Sequence, residues 1–107
     1  MPPEIKQTDS EILRLLADYC SLKVIDLLRG GAMRFSEIHR ALGDANPVTL
    51  TDRLKKLETA GFVLREAETL DKQSVLYSLS RTGQAALPII KEFCLFSQKL
   101  KKGEVWN

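Results

Sequence analysis

NPVTLTDRLKKLETAG, residues 46–61, writes out one helix with its start, its stop and two unlike faces. Asn46 is a residue type that caps free N–H groups, and Pro47 suits a first helical position, where no amide bond is lost. Gly61 supplies the left-handed residue that ends a helix. Leu50, Leu54 and Leu57 recur at i, i+4, i+7 and form one apolar stripe. On a 100° wheel Val48, Asp52, Lys55, Lys56 and Thr59 point away from it, and Thr49, Thr51 and Arg53 flank it. Such a helix suits the DNA major groove, and it suits water equally well. Its neighbours in the chain decide between them.

Upstream lies SEIHRAL, residues 36–42, in which Ser36 is placed to cap a brief helix and Ile38 and Leu42 face inward. Gly43 ends that helix, and Asp44 to Asn46 form a tight turn into the next. A short helix, a tight turn and a second helix with a polar outer face make the helix-turn-helix layout, in which the second helix enters the major groove. Before it, Arg34-Phe35 reads as a short extended pair. Downstream of Gly61 the period changes. Phe62-Val63-Leu64-Arg65 begins a strand, Val75, Tyr77 and Leu79 alternate in a second, and ETLDKQS (68–74) joins them with Asp71-Lys72 at the tip. A helix-turn-helix followed at once by a hairpin is a winged helix.

The chain ends complete the plan. Residues 1–7 read as a disordered arm, and Thr8-x-x-Glu11 as a capping box opening a helical stretch. The apolar residues between Ile12 and Leu28 are too many for one exposed helix, so two are predicted, about 10–19 and 21–28, broken near Asp18–Ser21. Ser80 caps a last helix, about 81–101, with Pro88 as a kink inside it. That helix carries two apolar stripes. Leu87, Ile90 and Cys94 can cover the core, but Ala85, Ile89, Phe93, Phe96 and Leu100 have nothing left to cover in so short a chain. Large aromatics left in water form a patch that monomers rarely tolerate. The surplus predicts a homodimer built from the first and last helices through Ile12, Leu16, Tyr19, Ile89, Phe93, Phe96 and Leu100. The expected organisation is one domain over 8–101, with a tail over 102–107.

Bulk properties bound the function. The 107 residues are 44% hydrophobic and 28% charged, with a formal net charge of +2, ordinary for a globular domain and neither demanding nor excluding nucleic acid. No apolar run approaches the ~18 residues of a membrane span, and the N-terminus has no signal-like apolar core, so a cytoplasmic protein is expected. His39 is the only histidine and reads as a solvent-facing helical residue. With no C-x-x-C, H-x-x-x-H or G-x-S-x-G present, no enzyme, metal site or cofactor is expected. Cys20 and Cys94 read as reduced packing residues.

RFSEIHRAL (34–42), the Leu50/Leu54/Leu57/Gly61 segment and LYSLSRTGQAALPII (76–90) together resemble the HxlR-type winged-helix transcriptional regulators, which are close in plan to MarR-type regulators. The resemblance covers about residues 21–96 and implies a dimeric DNA-binding regulator. Two family features have no counterpart here. The tryptophan common in the helix before the RF segment is missing, the only Trp being Trp106, and so is the N-terminal cysteine some members use to sense oxidants. Redox sensing is therefore not carried over.

The fold class expected is mainly α with a small β-hairpin: a winged helix-turn-helix dimerising through its N- and C-terminal helices. The expected function is sequence-specific binding of double-stranded DNA at an inverted-repeat operator. Val48, Thr49, Asp52 and Arg53 are assigned to base edges, with Arg53 pairing with guanine and Val48 meeting a thymine methyl. Asn46 and Ser36 lie at helix starts, Lys55 and Lys56 serve phosphates, and Lys72 and Gln73 on the wing reach the flanking backbone. Arg34 is read rather as a structural residue bonded near Glu37 or the wing. A small-molecule effector is left open. The competing expectation is a winged-helix protein-interaction module without sequence-specific DNA binding.

Overall fold

The computed structural model describes residues 2–43, 45–68, 70 and 74–103. A 3-10 turn (Gln7–Asp9) leads into α1 (Ser10–Leu16), and α2 (Tyr19–Leu28), β1 (Met33–Arg34), α3 (Phe35–Ala41) and α4 (Pro47–Thr59) follow. A hairpin of β2 (Val63–Ala67) and β3 (Val75–Leu79) then precedes α5 (Arg81–Ala85) and α6 (Leu87–Lys101). The antiparallel sheet has the order β1-β3-β2, with Met33 opposite Tyr77 and Val63 opposite Leu79. This is the winged helix-turn-helix: α3 and α4 with a tight turn between them, then the wing.

One cluster holds the domain together. The leucines of α4 are buried completely or nearly so, against Val24, Ile25 and Leu28 of α2, Ile38 of α3, and Phe62 and Val63 at the start of the wing. Burying each such side chain contributes about 2 kcal/mol. Asn46 caps α4 as its side-chain oxygen accepts the Val48 and Thr49 amides, at 2.8 and 3.4 Å. At the far end Gly61 takes φ 87°, where an L side chain would be strained.

The turn after α4 is tied to the start of α5. Ser80 donates its amide to the Phe62 carbonyl (3.1 Å) and its hydroxyl to the Gly61 carbonyl, and its Oγ accepts the Gly83 amide at 3.0 Å. Gly83 sits so close to this turn that a Cβ would lie 2.2 Å from the Phe62 carbonyl oxygen. The glycine is required by contact with a backbone atom.

Several local expectations are corrected. The Thr8–Glu11 box does not form, because Asp9 turns back to accept the Lys6 amide at 2.8 Å, and residues 7–9 are ordered as a helical turn. Ser36 does not cap α3, which starts a residue earlier. Arg34 occupies the cap, and its amide donates to Glu37 at 2.9 Å. Pro88 does more than kink one last helix. The helix stops at Ala85, turns at Ala86 and restarts with Pro88 in the first turn of α6, where a missing N–H costs least. Cys94 is exposed rather than packed, whereas Cys20 is half-buried against the core. His39 is half-buried too. Its Nε2 lies 2.9 Å from the Ala45 carbonyl and its ring stacks on Phe35, so it fastens the α3–α4 turn instead of facing solvent.

Candidate nucleic-acid interface

With its leucine stripe buried, α4 presents Pro47, Val48, Thr51, Asp52 and Lys55 as a continuous shallow outer surface. Val48 is 77% exposed at the start of the helix, an apolar methyl pair that gains by leaving water on meeting another apolar group. Thr51 is exposed and returns its hydroxyl to the Pro47 carbonyl at 2.8 Å, which fixes its rotamer and leaves the methyl and an oxygen lone pair outward. Thr49 is half-buried. Sequence reasoning placed Thr51 on the flank with Thr49 and Arg53 but left it out of the contact set; it is exposed beside Val48 and Lys55.

The charged residues of α4 are partly spent on one another. Asp52 accepts Arg53 Nη1 at 2.6 Å and Lys56 Nζ at 3.1 Å. The hydrogen bond from Lys56, more than that from Arg53, holds the Asp52 carboxyl below the usual carboxylate range. Arg53, expected to reach a guanine, is held elsewhere. Its Nε donates to Asp18 at 3.0 Å, with both side chains less than a third exposed. Burial pulls the Asp18 carboxyl upward, but bonds from the Ser21 amide, Arg53 and the Ser21 hydroxyl outweigh it and keep the group ionised. Lys55 is exposed and has no ion pair among the described residues, as does Arg40 on α3. Asn46 has spent its side-chain oxygen on the cap, and its NH2 group has no partner among the described residues.

At the wing base Arg34 makes a two-pronged ion pair with Glu68, Nε and Nη2 at 3.0 and 2.8 Å, and Ser74 adds its hydroxyl to the same carboxylate. These bonds hold Arg34 above and Glu68 below their usual ranges. The preference for a structural Arg34 matches this geometry, with both of the expected partners engaged. Ser36 is exposed on the first turn of α3. Lys72 and Gln73, assigned to the wing tip, lie outside the described residues together with Asp44, Asp71 and Trp106.

A second surface, formed by α1 and α6, is apolar. α1 has no buried residue, and its Ile12 and Leu13 are exposed with Tyr19 of α2 and Ile89, Phe93 and Phe96 of α6. A cleft of about 650 Å³ runs between α1 and α6, lined by Ile12, Leu13, Leu16, Ile89 and Phe93 with the N-terminal Ile5. Leu16 and Leu100 are half-buried. Among the described residues no group of His, Cys, Asp or Glu could hold a metal ion, and no helix is long and apolar enough to cross a membrane. Burial, then the charge on Asp18, push the Cys20 thiol up, away from the reactive thiolate.

Two features of this surface escaped the sequence reading. Asp18 was legible only as half of an Asp-x-x-Ser start at the break in the apolar run. Its bond to a residue 35 positions away has no local signal. Arg34 bonds to the wing as expected, but the particular partner, Glu68, lies 34 positions away and has no local signal either.

Residues 15–104 match the HxlR-like helix-turn-helix family. An uncharacterised HTH-type transcriptional regulator of Bacillus subtilis, YvaP, is 39% identical over 74 residues, 69% of this chain and 68% of that protein. Another from Methanothermobacter thermautotrophicus is 34% identical over 71 residues, 66% of this chain but only 54% of that one. The alignments thus span about half to two-thirds of these relatives. A crystal structure from Enterococcus faecalis V583, ascribed to the MarR family of transcriptional regulators, superposes with a TM-score of 0.78 at 28% identity, covering 97% of this chain and 96% of that one.

Proposed function

The chain belongs to the HxlR-like helix-turn-helix family, and on that premise we propose that it regulates transcription as a homodimer bound to an inverted-repeat DNA site. The observation that carries the reading is the outer face of α4: free of the core, and tied to α3 by His39, whose Nε2 bonds to the Ala45 carbonyl just before α4. In this reading Val48, Thr49 and Thr51 meet base edges. Lys55, Asn46 and Ser36 meet phosphates, Lys56 adds charge at the flank, and Lys72 and Gln73 follow the backbone from the wing. Asp52 accepts from a cytosine amine only by giving up part of its hold on Lys56. Arg53 contributes from behind rather than at a guanine.

The exposed apolar side chains of α1 and α6 support the dimer. A second copy related by a two-fold axis would cover both helices and set two α4 helices one turn of DNA, or a multiple of it, apart. Phe93→Glu tests this, because Phe93 is 59% exposed in the single chain and its loss leaves the core intact. Burying two such rings contributes about 5 kcal/mol, so the variant is expected to raise the dimer dissociation constant at least ~1,000-fold. Sedimentation should show folded monomers that bind an operator far more weakly. A Phe93→Glu protein that stays dimeric at low micromolar concentration would place the interface elsewhere.

A second reading draws on the charge pairing. Lys56 is tied to Asp52, Arg53 to Asp18 and Arg34 to Glu68, which lowers the positive field around α4. A winged helix used only to bind another protein would tolerate that. A DNA reader has to compensate with shape and the remaining cations.

A further inference from the structure

The outer face of α4 reads a groove only if the helix is held at one rotation about its axis. The three leucines fix it from behind. A second hold comes from outside the helix-turn-helix, at the corner where α1 ends and α2 begins. Here a single carboxylate oxygen, Asp18 Oδ2, accepts the Ser21 amide at 2.9 Å, the Ser21 hydroxyl at 3.2 Å and Arg53 Nε at 3.0 Å. Ser21 is fully buried, so the carboxylate cannot swing away without stranding a buried hydroxyl. The guanidinium spans the gap, because Nη1 of the same group reaches Asp52 at 2.6 Å. Asp52 in turn holds Lys56 at 3.1 Å. Only a planar fork with several fixed N–H donors links two carboxylates in this way.

We infer that Asp18 is a positioning residue for DNA recognition: acting through Arg53, the carboxylate at the α1–α2 corner sets the rotation of α4 and so the pose of Val48, Thr51 and Lys55. The inference rests on the reading of α4 as the groove helix. It also gives the corner a second role. α1 carries the apolar face assigned to the dimer, and the same corner grips the reading helix, so the separation of two reading helices passes through Asp18 and Arg53.

The test uses Asp18→Asn, which keeps an oxygen to cap α2 but withdraws the charge from Arg53, together with Arg53→Ala and the double variant. Removing a negative charge near DNA by itself strengthens binding to every duplex. The positioning role predicts the opposite for a cognate site. Cognate affinity of Asp18→Asn should fall about tenfold, affinity for an unrelated duplex should hold or rise, and the melting temperature should stay within a few degrees. The double variant should bind no more weakly than Arg53→Ala alone. An NMR readout needs no DNA: the Arg53 Nε–H signal is expected to exchange slowly in the wild type and rapidly in Asp18→Asn. Unchanged or tighter cognate binding by Asp18→Asn would overturn the inference and leave the DNA-binding reading standing. Losses from the two single variants that multiply in the double variant would also overturn it. A wild-type protein that selects no duplex would remove both.

Discussion

Gly83→Ala is expected to cost about 3 kcal/mol and to lower the melting temperature by more than about 10 °C, although it adds one methyl group. The added Cβ would stand 2.2 Å from the Phe62 carbonyl oxygen and 3.0 Å from a Leu79 methyl. The nearest obstacle is backbone, and it cannot rotate aside. That carbonyl already accepts the Ser80 amide at 3.1 Å, so relieving the clash opens the bond that ties the turn after α4 to the start of α5. Gly30→Ala is the matched control: its Cβ would meet only the Leu27 carbonyl, at 4.0 Å. Thermal unfolding of the two variants separates the cost of contact from that of losing a glycine. Similar melting temperatures would mean that the junction has more room than its geometry shows.

The second large effect is on binding. Val48→Glu is expected to leave stability unchanged or slightly higher while weakening cognate DNA binding about 100-fold. A carboxylate in the first turn of α4 is favourable for the helix, because the free N–H groups there attract negative charge. The position is 77% exposed, so no core packing is lost. Facing a groove, however, the carboxylate meets phosphates and acceptor-rich base edges, and like-charge juxtaposition costs several kcal/mol. Melting curves and duplex titrations on one preparation give both readings. A variant that melts like the wild type and binds like it would take the N-terminal turn of α4 out of the interface.

Helix α4 was legible almost residue by residue because its signals are local. Asn46 caps it, Pro47 opens it, Gly61 closes it, and Leu50, Leu54 and Leu57 are buried as their spacing predicts. The hairpin followed from alternation, and the surplus stripes at both ends appear as exposed apolar faces on α1 and α6. What failed was of two kinds. Competing caps misled at Thr8 and Ser36, where the helical turn starts upstream and a carboxylate, Asp9 or Glu37, accepts the amide of an earlier cap residue, Lys6 or Arg34. Proline at position 88 was read as a bend, although a chain that can restart a helix at proline breaks more cheaply than it bends. What else the sequence left unannounced was non-local. A wheel places Arg53 at the edge of the outer face, but nothing in its surroundings announces Asp18; Arg34 was expected near Glu37 or the wing, yet nothing singled out Glu68.

The site changes accordingly. Its polar face is smaller than the residue types promise, since Arg53 and Lys56 are engaged in ion pairs, and the proposed recognition centres on Val48, Thr51 and Lys55. In that proposal shape and the methyl groups carry more of the discrimination than a bidentate arginine would. The most direct test of sequence-specific reading by α4 is to let the purified protein select duplexes from a random pool at moderate salt and to sequence what it retains. Enrichment of an inverted repeat with half-sites about one helical turn, or a multiple of it, apart, bound less tightly as salt rises, is the predicted result. A retained pool with no enriched motif would contradict it.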